Sequence, residues 1–280
     1  MAGGMLPNQL WTVWLQGEAN APAVVQACLA SWRRLQPSWE FVVLDRTTLP
    51  DFCDFNVDRY AHLDAASLSD LVRVDLLARH GGVWVDSTLL PRFPLESWLA
   101  ERMTSGFFAF ANPGRDRLLA NWFLAAAPLN PLVVHLRSSL LRYFDFPFVA
   151  GSRKRVLRSL MGWILPHSRA LPQLCVTDAA RRLLRVHPYF AFHYLFARDL
   201  ATNDASSAIW DKTPRVLADM PHLAQHLGLD RALTPVVQHS IDASPAPLFK
   251  LDWRYSIAPQ PHGAHTVLSY LLASASTQTT

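Results

Sequence analysis

The order of hydrophobic and polar positions in the first 115 residues predicts alternating strands and helices. Short apolar runs, which are typical of buried strands, stand at Leu10–Leu15, Phe41–Leu44, Val83–Val85 and Gly106–Phe110. Helical spacing covers Ala23–Leu35 and a second segment that Ser67 or Ser69 caps and that ends at His80, before two glycines. This alternation predicts an α/β fold whose mostly parallel sheet is flanked by helices and connected by right-handed crossovers.

The pattern changes after about residue 115, where most apolar positions recur at helical spacing. Helices are predicted at Arg117–Ala126, Pro131–Phe144, Arg155–Ile164, Asp178–Val186 and Pro188–Leu200. The next strand signal is Val236–Gln238, and the polar end Ala273–Thr280 reads as a frayed, flexible tail. We therefore expect residues 1–115 to form an α/β core and residues 116–280 to form a mainly helical elaboration of the same domain.

Composition narrows the class of protein. The chain has 280 residues, of which 50% are hydrophobic and 17% charged, so it can bury a core and is not disordered as a whole. The first 32 residues contain no Lys or Arg, and the apolar run Leu118–Val134 is interrupted by Asn and Pro, so neither a signal peptide nor a membrane span is predicted. A cytoplasmic protein is therefore expected, and the three widely spaced cysteines predict buried thiols in a reducing compartment.

Positive charge is concentrated in one window. From Gly151 to Arg185 there are eight basic residues and one acidic residue, Asp178. Within it, residues 153–166 place a basic cluster before an apolar stretch. That segment either packs on the domain with a solvated basic face, or lies peripherally on a membrane with Trp163, Ile164 and Leu165 inserted and the arginines on anionic headgroups. No nucleic-acid-binding motif accompanies the charge, so nucleic acid is not the expected partner.

The segment Ser69–Leu90 concentrates candidate chemistry. Asp70 and Arg73 share one helix face, and Asp86 follows a strand, with Ser87 and Thr88 directly after it. Ligands of open α/β sheets bind outside the carboxyl ends of strands. A carboxylate and two hydroxyls there suit Mg²⁺ or Mn²⁺ carrying a diphosphate, and an acid–guanidinium pair suits sugar hydroxyls. Taken alone, Asp70 and Arg73 could be an ordinary surface ion pair, and Asp86–Thr88 could be an ordinary turn. The two features together favour a ligand-binding site.

These residues carry a family resemblance. SDLVRVDLLARHGGVWVDST resembles the signature SD-x-x-R…GG-x-[WY]-x-D-x-[DST] of capsular polysaccharide synthesis proteins and of glycosyltransferase family 32. The opening LWTVWLQGEANAPAVVQACLASWRRLQPSWEFVVLD is similar to that family's first strand and helix, and PLFKLDW is a weaker echo of a later motif. The resemblance implies a GT-A-like fold, a UDP- or GDP-sugar donor, and retaining transfer to a glycan or lipid-linked acceptor in bacterial capsule or surface polysaccharide synthesis.

The resemblance also implies roles for individual residues. Asp86 would be the first member of the D-x-D motif that holds a divalent cation, Mn²⁺ or Mg²⁺, and the donor diphosphate. Asp70 and Arg73 would hold the donor sugar, and Trp14 would stack on the nucleotide base, although a core tryptophan is the alternative. Ser87 would bind the donor beside Asp86.

One position departs from the motif. Thr88 stands where the second carboxylate is expected, which removes one anionic ligand. Thr88 itself, His239 or His262 is then a candidate to complete the metal site, although each histidine is more often a surface or core residue. Lys250 is a candidate to neutralise the leaving diphosphate.

Two other functions remain open at this point. The same departure fits a non-catalytic partner, with a degenerate site, in a polysaccharide synthesis complex. Toxins of similar motif suggest an effector that glycosylates a protein side chain. The sequence contains no strong nucleophile candidate, so the resemblance implies front-side displacement on the donor.

Overall fold

The computed structural model describes residues 6–148, 152–168, 170–255 and 265–277. Its strands are β1 (Gln9–Val13), β2 (Glu40–Leu44), β3 (Gly82–Val85), β4 (Leu89–Pro91), β5 (Phe107–Gly114), β6 (Arg117–Ala126) and β7 (Leu248–Lys250). Its helices are α1 (Ala23–Leu35), α2 (Leu49–Phe52), α3 (Ala65–His80), α4 (Pro131–Phe144), α5 (Ser152–Ile164), α6 (Leu171–Cys175), α7 (Asp178–Leu184), α8 (Ala191–Thr202), α9 (Asp204–Lys212), α10 (Leu223–Leu227), α11 (Pro235–Asp242) and α12 (Val267–Thr277).

The predicted α/β class is confirmed: a central, mostly parallel sheet is flanked by helices. Five strands follow the order β2-β1-β3-β6-β5, and β4 and β7 form a separate two-stranded sheet. Strands β1 and β2 are parallel, with Gln9 opposite Glu40 and Val13 opposite Leu44. Strands β5 and β6 are antiparallel and form a hairpin. Beyond β6 the described chain is mainly helical, as its spacing predicts.

The chain divides into two compact units that are discontinuous in sequence. The first unit contains Leu49–Trp84 and Met103–Leu217, with the segment ending at Pro7. The second unit contains Asn8–Thr48, Val85–Arg102 and the described residues from Ala218 onward. The predicted division at about residue 115 stays a prediction.

Helices α1 and α4 have the bounds that their sequences predict. In α1 the buried side chains include Val24, Cys28 and Trp32, at the spacing of one helix face. Helix α4 begins with a proline at its first position, and the Asn130 side chain caps it by accepting a hydrogen bond from the Leu132 amide at 3.1 Å. In both helices the residue at the start and the spacing of apolar positions indicate the same bounds, so the sequence predicts where each helix begins and ends.

Residues 117–126 form a strand, and the helix predicted there is wrong. Strand β6 pairs with β5, with Phe107 opposite Ala126 and Phe108 opposite Ala125. A short, almost continuously apolar run has no clear period, so its spacing cannot separate a buried strand from a helix. The preceding Gly114 lies opposite Arg117 and closes the hairpin, which is the tertiary constraint that decides the outcome.

The structure also corrects three smaller predictions of secondary structure. Residues 236–238 belong to α11, because Thr234 caps that helix and a proline opens it. Asp64, rather than either serine, caps α3 by accepting from the Ser67 amide at 2.9 Å. Residues 273–277 of the predicted tail form the end of α12, and residues 278–280 lie outside the described residues.

The structure also bears on the predicted burial of the three cysteines and on the hydropathy of the helices. Cys28 is buried, whereas Cys53 and Cys175 are only partly buried, so the prediction of three buried thiols is wrong for two of them. Burial raises the pKa of the Cys28 thiol to about 12, while the positive charge of Lys250 acts in the opposite direction. Among the described residues, no helix is both long and apolar enough to cross a bilayer.

Candidate active site

The strand-end segment Asp86–Thr88 is held in a defined turn in the second unit. It follows the last residue of β3, and the Asp86 carbonyl accepts a hydrogen bond from the Leu89 amide at 2.9 Å, which opens β4. The Thr88 carbonyl accepts from the Leu251 amide, also at 2.9 Å. Ser87 and Thr88 are buried, and Asp86 is half-buried. The segment is therefore fixed at both ends, as a ligand-binding turn requires.

Lys250 joins this segment through its side chain. Lys250 lies opposite Leu89 in the β4–β7 ladder. Its ammonium donates to Asp86 Oδ2 at 2.9 Å and to Thr88 Oγ1 at 2.8 Å. Both the lysine and the aspartate are half-buried, so their attraction is screened less than that of a surface pair. Lys250, predicted separately from the Asp86–Thr88 motif, thus forms one charged group with Asp86 and Thr88.

Trp14 and Trp253 form an aromatic pair in the same unit. Trp14 directly follows β1, and its amide donates to the Leu44 carbonyl at 2.8 Å. The two rings meet edge to face, with centroids 6.0 Å apart. Within the described residues the Trp14 Nε1–H is buried and has no hydrogen-bond partner. An aromatic face of this kind can stack on a flat heteroaromatic ring.

Asp70 and Arg73 are brought together in the first unit, on α3. The Arg73 Nη2 lies 3.4 Å from Asp70 Oδ1, and both side chains are buried. Asn121 on β6 donates to Asp70 Oδ1 at 2.8 Å through its side-chain amide. A buried carboxylate needs such partners, since an unpaired buried charge costs several kcal/mol. The alternative that Asp70 and Arg73 form an ordinary surface ion pair is therefore wrong, because both side chains are buried.

Several contacts lock the guanidinium of Arg73. Its Nε donates to the Ser69 carbonyl at 3.1 Å, its Nη2 donates to the Ser69 hydroxyl at 2.9 Å, and its Nη1 donates to the Asn121 carbonyl. The guanidinium carbon also lies 5.0 Å from the ring centroid of Trp84 and 5.9 Å from that of Phe192. A side chain held this firmly is suited to positioning Asp70.

Helix α3, which carries this pair, is anchored at its start by Asp64. Besides capping the helix, Asp64 Oδ2 accepts from Arg158 Nη1 at 2.7 Å. Burial alone would raise the pKa of Asp64, but the hydrogen bonds from Arg158 and Ser67 outweigh it and lower the pKa to about 2. The ionised carboxylate therefore stabilises the folded chain above about pH 4, and this contribution is lost as the pH falls through about 2.

Replacing Asp64 by alanine is expected to lower the free energy of unfolding by about 1 to 2 kcal/mol at neutral pH. The carboxylate is partly exposed, so its ion pair adds little beyond the cap. The deficit should shrink as the pH falls from about 4 towards 2, because the wild-type carboxylate is then protonated. Urea unfolding across this range, with exposed Asp58→Ala as control, measures it; a deficit independent of pH would contradict the assignment.

The histidines predicted as metal ligands do not join Asp86 in the described structure. His239 is exposed on α11, and its imidazole makes no hydrogen bond or ion pair with any described residue. His262 lies outside the described residues. No group of three or more His, Cys, Asp or Glu side chains suited to a metal ion occurs in the described ranges. The metal role of either histidine stays a prediction.

The donor set at Asp86 fits a divalent cation only in combination with a ligand. Asp86 and Thr88 offer one carboxylate and one hydroxyl, and the Lys250 ammonium contacts both. Mg²⁺ is commonly held by one or two carboxylates together with substrate phosphates and waters. The residues present fit that arrangement when a diphosphate supplies the remaining oxygens.

Sequence reasoning missed four side chains that complete these groups. Asn121 and Phe192 lie far from α3 in sequence, on β6 and α8, so local spacing gave no signal for their contacts with Asp70 and Arg73. Trp84 stands at the [WY] position of the family signature, but that position does not predict its contact with Arg73. Trp253 stands in the PLFKLDW segment, three residues after Lys250, and that weak motif was the one available signal.

Comparison with known proteins agrees with the resemblance in the sequence. The family model described as capsular polysaccharide synthesis protein matches residues 5–146. "O-glycosyltransferase braB" of Annulohypoxylon truncatum is 30% identical over 194 residues, which cover 60% of this chain and 43% of that protein. "Glycosyltransferase afumC" of Aspergillus fumigatus is 35% identical over 98 residues, which cover 30% of this chain and 25% of that protein.

Among solved structures, "PaToxG Glycosyltransferase" matches with a TM-score of 0.37 and 13% identity, over 75% of this chain and 83% of that one. The alignments with the two fungal proteins span less than half of the length of either. The family match covers half of this chain and includes Asp70, Arg73 and the Asp86–Thr88 turn. The chain belongs to the capsular polysaccharide synthesis protein family.

Proposed function

We propose that this chain is a retaining glycosyltransferase that moves a sugar from a UDP- or GDP-sugar to a glycan or lipid-linked acceptor in surface polysaccharide synthesis. The observation that carries the proposal is the group formed by Asp86, Thr88 and Lys250 at the end of β3. Family membership and the names of the two fungal relatives support the reaction class.

The charge problem of the reaction explains why these residues are needed. Departure of a nucleoside diphosphate leaves negative charge on a phosphate oxygen and positive character on the anomeric carbon. Lys250 supplies an ammonium for the departing diphosphate, and Thr88 supplies a hydroxyl donor. A divalent cation held with Asp86 would add Lewis-acid stabilisation of the same charge.

The remaining residues are assigned to the other parts of the donor. Trp14 stacks on the nucleotide base through its indole face. Asp70 accepts hydrogen bonds from hydroxyls of the donor sugar, and Arg73 is a positioning residue that fixes Asp70. Transfer then takes the front-side course expected for a retaining enzyme that has no strong nucleophile.

A thermal-shift panel tests the proposal. UDP, GDP and their common hexose and N-acetylhexosamine conjugates are added with Mn²⁺, with Mg²⁺ or with a chelator. A ligand that binds only the folded chain raises its melting temperature, by an amount set by its concentration relative to Kd. We expect at least one sugar nucleotide to stabilise the chain, more strongly with a divalent cation. Failure of the whole panel to shift the melting temperature would contradict the proposal.

Replacing Lys250 by methionine should weaken binding of the nucleoside diphosphate by about tenfold, which is about 1.4 kcal/mol. The substitution keeps an unbranched side chain, one atom shorter, and removes the ammonium beside Asp86. Binding of Mn²⁺ alone should strengthen, because the carboxylate no longer faces a fixed positive charge. Calorimetry measures both affinities, and Lys212→Met, at an exposed lysine of the first unit, is the matched control. Unchanged diphosphate affinity would remove Lys250 from the site.

A second proposal concerns peripheral membrane contact through α5. Val156, Leu160 and Trp163 are 66%, 50% and 72% exposed and follow one helix face at i, i+4 and i+7. Ile164 is also exposed, but Leu165 is buried, which corrects its predicted insertion. The described arginines Arg155, Arg182 and Arg185 are exposed in the same basic window. Exposed apolar side chains and exposed arginines are the two features that an anionic lipid surface can bind.

The described part of this window also limits the proposal. Arg158 bonds to Asp64, so it is engaged within the protein. The side chains of Arg153 and Lys154 lie outside the described residues. The exposed apolar face and the remaining arginines therefore carry the proposed contact.

Vesicle flotation tests this contact. The chain should float with vesicles that contain phosphatidylglycerol at low salt, and far less with pure phosphatidylcholine, because headgroup attraction is screened by salt. The double variant Leu160→Ser/Trp163→Ser should lose flotation, while Val236→Ser, at an exposed valine of α11, should retain it. Absence of flotation by the wild-type chain on anionic vesicles at low salt would overturn the membrane proposal.

A further inference from the structure

A polar cavity lies in the first unit, among α4, α7 and α8. Its volume is about 220 Å³, and its lining includes Ser139, Tyr143, Arg181, Arg198 and Asp199. None of these residues belongs to the donor groups described above. Asp199 stands seven residues after Phe192 on α8, which is about 10 Å along the helix axis, so the cavity is separate from the ring that contacts Arg73.

Polar atoms that lack partners are concentrated around this cavity. The Tyr143 hydroxyl, Arg181 Nε, Arg198 Nη1 and Asp199 Oδ2 are buried and have no hydrogen-bond partner among the described residues. Tyr143 is 3% exposed and Asp199 is 7% exposed. A buried polar group without a partner costs about 1 to 3 kcal/mol, so four in one cavity point to partners that come from outside the chain.

The surroundings of Asp199 show which chemistry is missing. Its Oδ1 accepts from Ser139 at 2.8 Å and lies 3.6 Å from His135 Nε2, while its Oδ2 has no donor. Burial raises the pKa of Asp199 to about 6, against the opposing effects of the Ser139 hydrogen bond and of nearby His135 and arginines. A donor placed at Oδ2 would stabilise the ionised carboxylate.

The arginines show the complementary need. Arg181 donates through Nη1 to the carbonyl of Arg142 at 2.7 Å and pairs with Asp178 at 2.9 Å, but its Nε remains unsatisfied. Arg198 Nη1 likewise lacks an acceptor within the described structure. The lining of the cavity thus includes both donors that need acceptors and an acceptor that needs a donor.

This mixture discriminates between ligand classes. A simple anion would satisfy the guanidinium groups but would be repelled by Asp199 and Asp178, and a cation would meet the reverse problem. A hydroxyl group both donates and accepts, so adjacent hydroxyls on one ring can satisfy a carboxylate, a guanidinium and a phenol together. A lining with charges of one sign only would favour an ion of the opposite sign instead.

We propose that this cavity binds a saccharide ring and serves as a glycan subsite of the helical half, apart from the donor groups. The inference rests on the proposed function in assigning the bound saccharide to the acceptor. Asp199 accepts from one ring hydroxyl, Arg198 donates to another, and Tyr143 bridges between them. The subsite would retain an acceptor glycan through a ring that does not react.

Saturation-transfer NMR and calorimetry test the subsite without nucleotide or metal. The probes are the methyl glycosides of glucose, mannose and galactose, together with N-acetylglucosamine and inorganic phosphate. At least one saccharide should bind the wild-type chain, and Asp199→Asn should weaken that binding by about tenfold or more. Tyr143→Phe should weaken it about threefold to tenfold. Ser138→Ala, at an exposed serine of α4, should leave it unchanged.

Tyr143→Phe keeps the test decisive if Asp199→Asn folds poorly. It removes one oxygen that has no partner, so the fold should tolerate it. Binding of no saccharide, binding of phosphate alone, or wild-type affinity in the Tyr143→Phe variant would overturn the subsite and leave a cavity filled by water. Saccharide binding in a chain that no sugar nucleotide stabilises would retain the subsite and reject the proposed transfer.

Discussion

Replacing Asp86 by asparagine is expected to lower kcat for sugar transfer by about 10³-fold. The substitution keeps the shape of the side chain but removes the negative charge that faces Lys250 and that would hold a divalent cation. Loss of one electrostatic element at a developing charge commonly costs about 10²- to 10³-fold, and here the cation and the ammonium are both affected. Release of nucleoside diphosphate, followed over time, measures the loss.

The matched control for Asp86 is Asp242→Asn. Asp242 also belongs to the second unit and also accepts a hydrogen bond, from the Tyr270 hydroxyl at 2.6 Å, but it lies on α11 outside the motif. Both variants should retain the melting temperature within a few degrees, which corresponds to about 1 kcal/mol. An Asp86→Asn variant with wild-type turnover would show that the strand-end carboxylate has no part in the reaction.

Replacing Asp70 by asparagine is expected to lower kcat by about 10²-fold while leaving the affinity for the nucleoside diphosphate unchanged. The carboxylate is assigned to the donor sugar, and a diphosphate without sugar does not use it. Asparagine can still accept from Asn121, but the buried Arg73 loses its counter-charge. The substitution should therefore lower the free energy of unfolding. The loss should be limited to about 1 to 3 kcal/mol, because Arg73 retains its bonds to Ser69 and Asn121.

The readout for Asp70 separates binding from turnover. Calorimetry gives the diphosphate affinity, and the rate is measured well below the melting temperature so that stability does not confound it. Asp58→Asn, at an exposed carboxylate of the same unit, controls for loss of charge. Weakened diphosphate binding with normal turnover would place Asp70 in a different role.

The predictable parts of this fold are those in which local chemistry determines the outcome. Helices α1 and α4 combine a regular apolar face with a proline or asparagine at the start, so their bounds follow from the sequence. Strand β6 does not, because RLLANWFLAA lacks a clear period and its pairing with β5 is set by tertiary contacts. Strands β4 and β7 have three residues each, which is too short for any periodic signal.

The candidate site likewise contains residues that the sequence predicts and residues that only tertiary contacts reveal. The sequence predicts Asp70, Arg73 and Asp86, because they stand within one motif of 22 residues, Ser69–Leu90. Lys250 is readable only through a weak second motif, 164 residues after Asp86, and the structure joins the two residues. Asn121 and Phe192 contact Asp70 and Arg73 across separate elements, and no spacing rule reaches that far. Local spacing therefore identifies the charged residues, while the side chains that orient them come from tertiary packing.

The measurement that tests the central claim most directly is proton NMR of the anomeric signal during incubation with a sugar nucleotide that stabilises the chain. With water as the acceptor, the wild-type chain should consume the donor and release nucleoside diphosphate and free sugar, and the sugar first released should keep the donor's anomeric configuration. Asp86→Asn should consume almost none over the same period. Persistence of every donor signal with wild-type chain, with or without divalent cation, would contradict the assignment of this chain as a glycosyltransferase.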